Sequence, residues 1–199
     1  MRITLIRKGR RMYDYIYIDG EYFNKVDREI RVINGIKEGM DISESELSDL
    51  VRKSEEKRAK DKAFNLLSYR DHSRKELEDK LKREYSEETA EVVAEKMENL
   101  GLINDENFAR RYTKELLYSK HYSPRKVEYE LTLKGIDRET AAYIIENEAP
   151  DAVSQIKILI EKKYKNINSD EKIKRRAIAF LQRYGYSWDD IKKALSLYE

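Results

Sequence analysis

One segment of this chain is written three times. SRKELEDKLKREYSEETAEVV, from Ser73, returns as SPRKVEYELTLKGIDRETAAYII from Ser123. Leu77 and Leu81 of the first copy stand fifty positions before Val127 and Leu131 of the second. Ala177, Leu181 and Gly185 lie fifty beyond Val127, Leu131 and Gly135, and Ser187 falls fifty beyond Asp137. A self-similar period of this length marks a tandem array of small supersecondary units. Units of this size bury little surface alone, so each is expected to lean on its neighbours.

The second copy defines the unit. Ser123 reads as a helix N-cap, with Pro124 at the first helical position, where a missing N–H costs nothing. Gly135 reads as a left-handed stop and Asp137 as the cap of the next helix. Val127, Leu131, Ala141, Ile144 and Ile145 recur at intervals of three and four and form one buried stripe. Three helices are predicted per unit, in the second over residues 105–119, 124–134 and 138–148. The chain divides accordingly into an N-terminal part, 1–60, and three-helix units over 61–108, 109–149 and 150–199. The fold class is mainly α, with a small N-terminal β-hairpin or three-stranded sheet.

The N-terminal part differs in texture. ITLIRK and YDYIYIDGEYF are rich in Ile, Tyr and Phe, as strands are. Asp19-Gly20 supplies the two positive φ angles of a type I′ hairpin. Val26 to Lys37 is predicted as a short helix ended by Gly39. Ser43 and Glu46 form a capping box for a helix running toward Tyr69. Its middle, RKSEEKRAKDK, has almost no apolar face and reads as a solvated connector.

Composition excludes several chemistries. The chain has no cysteine, which removes disulfides, thiolate catalysis and Cys-ligated metals and fits a reducing compartment. It has no signal-peptide h-region and no apolar run near membrane-spanning length, so cytoplasmic location without membrane contact is expected. None of its seven glycines builds a phosphate loop. Carboxylates read as partners of Lys or Arg one turn away, as in Glu76–Lys80 and Glu78–Lys82. His72 and His121 read as exposed loop residues, without the ligand cluster a metal needs. No catalytic residue, metal site or cofactor is expected, and the chain is not expected to be an enzyme. The fifteen tyrosines mostly occupy apolar positions, which predicts core or half-buried packing.

Net charge is only +2, so any nucleic-acid or acidic-partner face must come from local clustering. Residues 149–199 hold 11 basic and 7 acidic residues, whereas 61–109 hold 8 and 13. Lys172, Lys174, Arg175 and Arg176 form the strongest basic group, with Arg183 one or two turns on, near Tyr184 and Tyr186. Further groups are Arg110, Arg111 and Lys114, and Arg125 and Lys126 with Lys134. Arg70 and Arg74 are candidate contacts as well.

Three strings together resemble a known family, the RecX regulatory proteins. Leu67-Ser-Tyr-Arg70-Asp-His72-Ser73-Arg-Lys-Glu76-Leu77-Glu-Asp-Lys80-Leu81 is similar to its first signature. Leu100-Gly101-Leu102-Ile103-Asn104-Asp105-Glu-Asn-Phe108-Ala109 is similar to the second, and Leu131-Thr-Leu-Lys134-Gly135-Ile136 to the third. Asn104 stands where an acidic residue is usual, and Glu84-Tyr85 stands where the second copy has its glycine. The resemblance implies tandem three-helix repeats in an elongated, curved arrangement. It implies a non-enzymatic, monomeric regulator of the RecA recombinase that docks on the RecA filament on single-stranded DNA and limits its growth, ATPase and strand exchange. Weak intrinsic nucleic-acid binding is also implied.

A competing reading takes each unit as a helix-turn-helix-like module that binds DNA directly through its third helix. Those helices open with Glu87-Glu88, Arg138-Glu139 and Asp189-Asp190, and such acids repel phosphates. Backbone contact through Lys172 to Arg176 is the form of DNA binding the sequence favours.

Overall fold

The computed structural model describes all residues except 11, 165, 166, 168, 169 and 199. Three strands open the chain, β1 (Ile3–Lys8), β2 (Tyr13–Ile18) and β3 (Glu21–Asp27), paired in that order as an antiparallel sheet. The β2–β3 turn is the predicted one, with φ of 49° at Asp19 and 92° at Gly20. β2 alternates strictly and points Asp14, Ile16 and Ile18 into the core. The Asp14 side chain is only 1% exposed, and its two carboxylate oxygens accept from Arg28 Nε at 2.9 Å and Arg31 Nε at 2.7 Å. Both arginines lie on α1 (Arg28–Ile33), so one buried carboxylate fastens that short helix to the sheet.

The helix predicted from Val26 to Lys37 is shorter. Val26 is fully buried in β3, Asp27 caps α1, and Gly35, at φ 69°, stops the chain before Gly39 is reached. Val26 satisfies strand alternation and helical spacing equally well, and pairing with β2 decides between them.

α2 (Glu44–Tyr69) carries the predicted capping box between Ser43 and Glu46. At 26 residues it is about 39 Å long. Its charged middle is not a solvated connector. Leu47, Leu50 and Ser54 face the sheet, and the buried Ser54 Oγ accepts the Asp27 N–H at 2.7 Å. Ala59 and Ala63, also buried, face α3 (Arg74–Leu81) and α4 (Glu87–Asn99). The buried face is made of Ser and Ala, which register as neither apolar stripe nor charge yet let neighbouring elements approach closely. Long side chains around it reach to other elements, as Glu56 does to Lys96 at 2.8 Å and Lys62 to Glu84 at 2.8 Å. The unit Met1–Ile103 thus has two cores, one under the sheet and one of Ala59, Ala63, Leu77, Leu81, Ala90, Val93, Ala94, Met97 and Ile103.

The second unit, Asn104–Glu199, holds two three-helix bundles. The first contains α5 (Asp105–Lys114), which continues as a π-turn over Glu115–Ser119, then α6 (Pro124–Leu133) and α7 (Arg138–Glu148). The second contains α8 (Ala152–Lys163), α9 (Glu171–Arg183) and α10 (Trp188–Leu195), ending in a 3₁₀ turn over Ser196–Tyr198. The predicted stripe of Val127, Leu131, Ala141, Ile144 and Ile145 is buried throughout. Ser73, Ser86, Asn104, Ser123, Asp137, Asp151, Asp170 and Ser187 each accept a backbone N–H from the helix they precede.

The two bundles of this unit meet where α9 ends. The Ser123 N–H, at the start of α6, donates to Tyr184 O at 3.0 Å, and the buried Tyr186 hydroxyl donates to His121 O at 2.9 Å. Gly185, at φ 91°, lies against Ser123 and Lys126; a Cβ there would overlap Ser123 Oγ and sit 2.7 Å from Lys126 Cβ. Gly101 ends α4 at φ 71° with open space around it. Gly101→Ala should therefore lower stability by about 1–2 kcal/mol, the left-handed penalty alone. Gly185→Ala should cost about 1–3 kcal/mol more, from overpacking. Urea unfolding of the two variants beside wild type measures the difference.

Candidate partner and nucleic-acid interface

The signature residues are mostly structural. Leu77, Leu81 and Ala109 are completely buried, and Phe108 stacks on Tyr112 with ring centroids 5.5 Å apart. Ser73 caps α3, Asp105 opens α5 behind the Asn104 cap, and Gly101 and Gly135 hold the positive φ angles that end α4 and α6. Asn104 does the work of an aspartate, since its Oδ1 accepts the Asn107 N–H at 2.8 Å. Lys134 is the C-cap of α6, and its ammonium lies 5.8 Å from the Tyr112 ring centroid. Without a glycine at the corresponding place, α3 ends at Leu81, and Lys82, Glu84 and Tyr85 fold back onto its carbonyls.

Charges in the first unit are largely committed to one another. Arg70 grips Glu76 with two bonds of 2.8 and 2.9 Å and also donates to Asp71 O. Arg74 spans Glu78 at 3.0 Å and Glu98 at 2.7 Å. The expected pairs Glu76–Lys80 and Glu78–Lys82 are therefore replaced. Lys82 turns to Glu87 and Glu91, which with the hydrogen bonds they accept raise its pKa to about 12, and Lys80 turns to His72. Guanidinium groups at 70 and 74 take the carboxylates because their planar fork matches two oxygens at once.

The histidines are buried, not exposed. His72 is 3% and His121 8% accessible. His72 Nδ1 lies 2.9 Å from Arg70 O, and Nε2 lies 2.9 Å from Lys80 Nζ. Only the neutral ring with its proton on Nδ1 satisfies both neighbours, because a carbonyl can only accept and an ammonium can only donate. His121 repeats the pattern between Gln155 Oε1 and Lys162 Nζ, at a backbone φ of 54°. Each ring closes a loop ahead of a serine cap, and loop polarity in the sequence masks that burial. Among the described residues no group of three or more His, Cys, Asp or Glu side chains is placed to hold a metal ion. Among the same residues, no helix is long and apolar enough to cross a membrane.

The remaining basic candidates separate into paired and open groups. Arg110 pairs with Glu106 at 2.8 Å and lies over the Tyr143 ring, Arg111 is exposed, and Lys114 reaches Glu148 at 3.2 Å. Lys126 pairs with Glu130 at 3.0 Å and stands 4.8 Å above the Tyr129 ring. On α9, Lys172, Arg175, Arg176, Ala179, Gln182 and Arg183 are exposed, and Lys174 is half-buried. Among the described residues, Lys172, Arg175, Arg176, Arg183 and Arg125 have no carboxylate partner. Positions 172, 176, 179 and 183 follow helical spacing, so three of these cations lie along one stripe about 16 Å long.

That stripe runs into a groove of about 510 Å³ between α6 and α9, lined by Arg125, Lys126, Tyr129, Gln182, Arg183, Gly185 and Tyr186. The groove exists because Gly185 brings the end of α9 onto the start of α6. Tyr184 and Tyr186 do not accompany the basic group outward; Tyr186 is buried and Tyr184 packs on Tyr122 and Phe180. Tyr129, 56% exposed, is the groove's open aromatic. It is one of five exposed tyrosines, with Tyr22, Tyr69, Tyr118 and Tyr143; the other ten are buried or half-buried, as expected of most.

Comparison with known proteins places this arrangement. Models of the first, second and third three-helix domains of RecX match residues 59–97, 104–143 and 151–195, in that order. The regulatory protein RecX of Caldanaerobacter subterraneus is 34% identical over 99% of this chain and 100% of its own length. This chain belongs to the RecX family. The regulatory protein RecX of Bacillus subtilis is 31% identical across 100% of the chain and 76% of its own. A crystal structure of a regulatory protein RecX shares the fold at a TM-score of 0.64 and 20% identity, covering 98% of both chains. The crystal structure of RecX from Lactobacillus salivarius gives a TM-score of 0.58 at 27% identity, over 71% of this chain and 95% of that one.

Within this RecX-family chain, the sequence signatures identify the scaffold, whereas the open cations fall largely outside them. Tyr129 and Gln182 are the groove residues that sequence reasoning left out. Arg183 was read with the basic group of Lys172 to Arg176, but nothing local in the sequence joins it to α6.

His72 generates a pH prediction. Burial is the main cause lowering its pKa, with the Arg70 and Lys80 charges adding to it, against the raising effects of the Arg70 carbonyl and Glu76. A folded-state pKa below the unfolded value of about 6.5 stabilises the fold above that pH and withdraws the stabilisation as pH falls. Urea midpoints should decline from pH 7 toward pH 5, and His72→Gln, which cannot titrate, should flatten that decline.

Proposed function

We propose that this protein binds the RecA recombinase, or its filament on single-stranded DNA, and restrains filament growth, ATP hydrolysis and strand exchange without catalysing a reaction itself. The observation that carries this reading is the ordered run of three RecX domains along a chain that matches relatives named as regulatory proteins over nearly its whole length. It acts as a cytoplasmic monomer with no cofactor. The contact surface is the open basic group, Lys172, Arg175 and Arg176 with Arg125, joined on the same helix by the half-buried Lys174, because a cation without a carboxylate meets a partner's acid or a phosphate without first losing a bond. Arg70, Arg74 and Arg110 support the scaffold before they serve a partner.

A second reading, direct recognition of duplex DNA, has less support. The third helices α4, α7 and α10 present exposed Glu87, Glu88, Glu139 and Asp189 at the ends that would enter a groove. Affinity for duplex that stays in the nanomolar range as salt rises would favour it.

Wild-type protein added below stoichiometry should slow single-strand-dependent ATP hydrolysis by the cognate recombinase. The fourfold variant Lys172→Glu, Lys174→Glu, Arg175→Glu, Arg176→Glu should need about tenfold more protein for the same effect, roughly 1.4 kcal/mol of binding. Its circular dichroism should match wild type. Absence of any wild-type effect on ATPase or filament length, at any ratio, defeats the proposal.

A further inference from the structure

We infer that the α6–α9 groove is a binding site for single-stranded nucleic acid, in which the cations follow the backbone and Tyr129 stacks on a base. The inference deepens the reading above by giving the protein its own hold on the strand, through residues that no family signature contains.

Three independent features meet in the groove. The first is charge without counter-charge. Arg183 and Arg125 flank it from two helices, neither has a carboxylate partner among the described residues, and the exposed face of α9 from Lys172 to Arg183 carries four cations and no acid. A track of this kind attracts a polyanion rather than a single carboxylate, because its charges are spread over about 16 Å. The second is the aromatic. Tyr129 is 56% exposed at the groove, and the Lys126 ammonium, tethered to Glu130, covers part of the ring at 4.8 Å. An exposed phenol beside free arginines is the pair of elements that holds a single strand, stacking for the base and cations for the phosphate. The third is rigidity. Gly185 against Ser123 and Lys126, and the Ser123 N–H on Tyr184 O, fix α6 and α9 together, so the groove does not have to be assembled on binding.

The same geometry argues against a duplex. Paired bases are stacked inside the helix and present no free face to Tyr129, whereas an unpaired base does. Gln182, at the groove wall, can meet any base edge or sugar and imposes no fixed sequence. The site is therefore expected to be tolerant of sequence and sensitive to salt.

The test uses the full chain and a labelled oligothymidylate of about twenty nucleotides, followed by fluorescence anisotropy at about 50 and about 200 mM salt. Arg125→Glu with Arg183→Glu should weaken binding at least about tenfold and flatten the salt dependence. Tyr129→Ala should weaken binding by about fivefold or more, as loss of one stacked base does, and Tyr129→Trp should restore it. On an abasic oligomer of equal length, Tyr129→Ala should change nothing. Unchanged affinity in the arginine variant overturns the site. Equal loss on the abasic strand overturns the stacking role, and duplex bound as tightly as single strand overturns the strand preference. If the arginine variant binds oligothymidylate normally but no longer slows the recombinase, the groove is a protein-docking surface and the inference fails. Wild type that slows the recombinase without binding the strand also defeats this inference alone. Wild type that binds the strand without affecting the recombinase defeats the regulatory reading alone.

Discussion

Helices of eight to thirteen residues are too short to be stable in water by themselves, and apart from α2 this chain has almost no others. Each must have its terminal N–H groups satisfied and its apolar stripe covered at once. The serine, aspartate or asparagine before each helix meets the first demand, and the neighbouring helices of the bundle meet the second. Because Ser123 both caps α6 and donates its backbone N–H to Tyr184, the two demands are joined at the contact between the second and third bundles. A fault in one cap is therefore also a fault in bundle packing.

The first unit meets the same constraint with a different device. α2 is long enough to pass under the sheet and then into the first bundle, so one rod supports two cores. Its buried face narrows to Ser54, Ala59 and Ala63, and the Ser54 hydroxyl takes up the Asp27 N–H where β3 ends. Asp27 then caps α1, and α1 sends Arg28 and Arg31 back to the buried Asp14 of β2. Strand, helix and rod close a circuit of polar bonds inside an otherwise apolar region, which fixes register as well as contributing stability.

What was legible in the sequence follows from how local each determinant is. Caps and stops lie within four residues of the helix they serve, so Ser123, Asp137, Gly135 and the Asp19-Gly20 turn were read correctly. The stripe of Val127, Leu131, Ala141, Ile144 and Ile145 depends only on spacing and was read as well. Several failures involve partners distant in sequence, whereas His72, held by Arg70 and Lys80, was misread although its partners are near. The burial of His121 depends on Gln155 and Lys162, and that of α2's charged middle on α4 and β3. Val26 joined a strand because β2 lies beside it. At the candidate site, the basic residues of α9 were visible as a cluster, but the groove was not, because Arg125 and Arg183 become neighbours only through the close approach at Gly185.

The distribution of ion pairs says more about function than the distribution of charge. Counting residues makes the region from 61 to 109 acidic and the C-terminal region basic, which suggests two opposed faces. In the folded chain many of the first region's charges are already engaged: Arg70, Arg74, Lys62, Lys82 and Lys96 each hold one or more carboxylates. An engaged charge contributes little to a partner, since what it gains there it gives up within the chain. On α9 the exposed face from Lys172 to Arg183 offers no acid to engage, so Lys172, Arg175, Arg176 and Arg183 keep their full attraction for a phosphate or a carboxylate from outside. What sets the segment from Lys172 to Arg183 apart is therefore the acids left out of it, more than the bases put in.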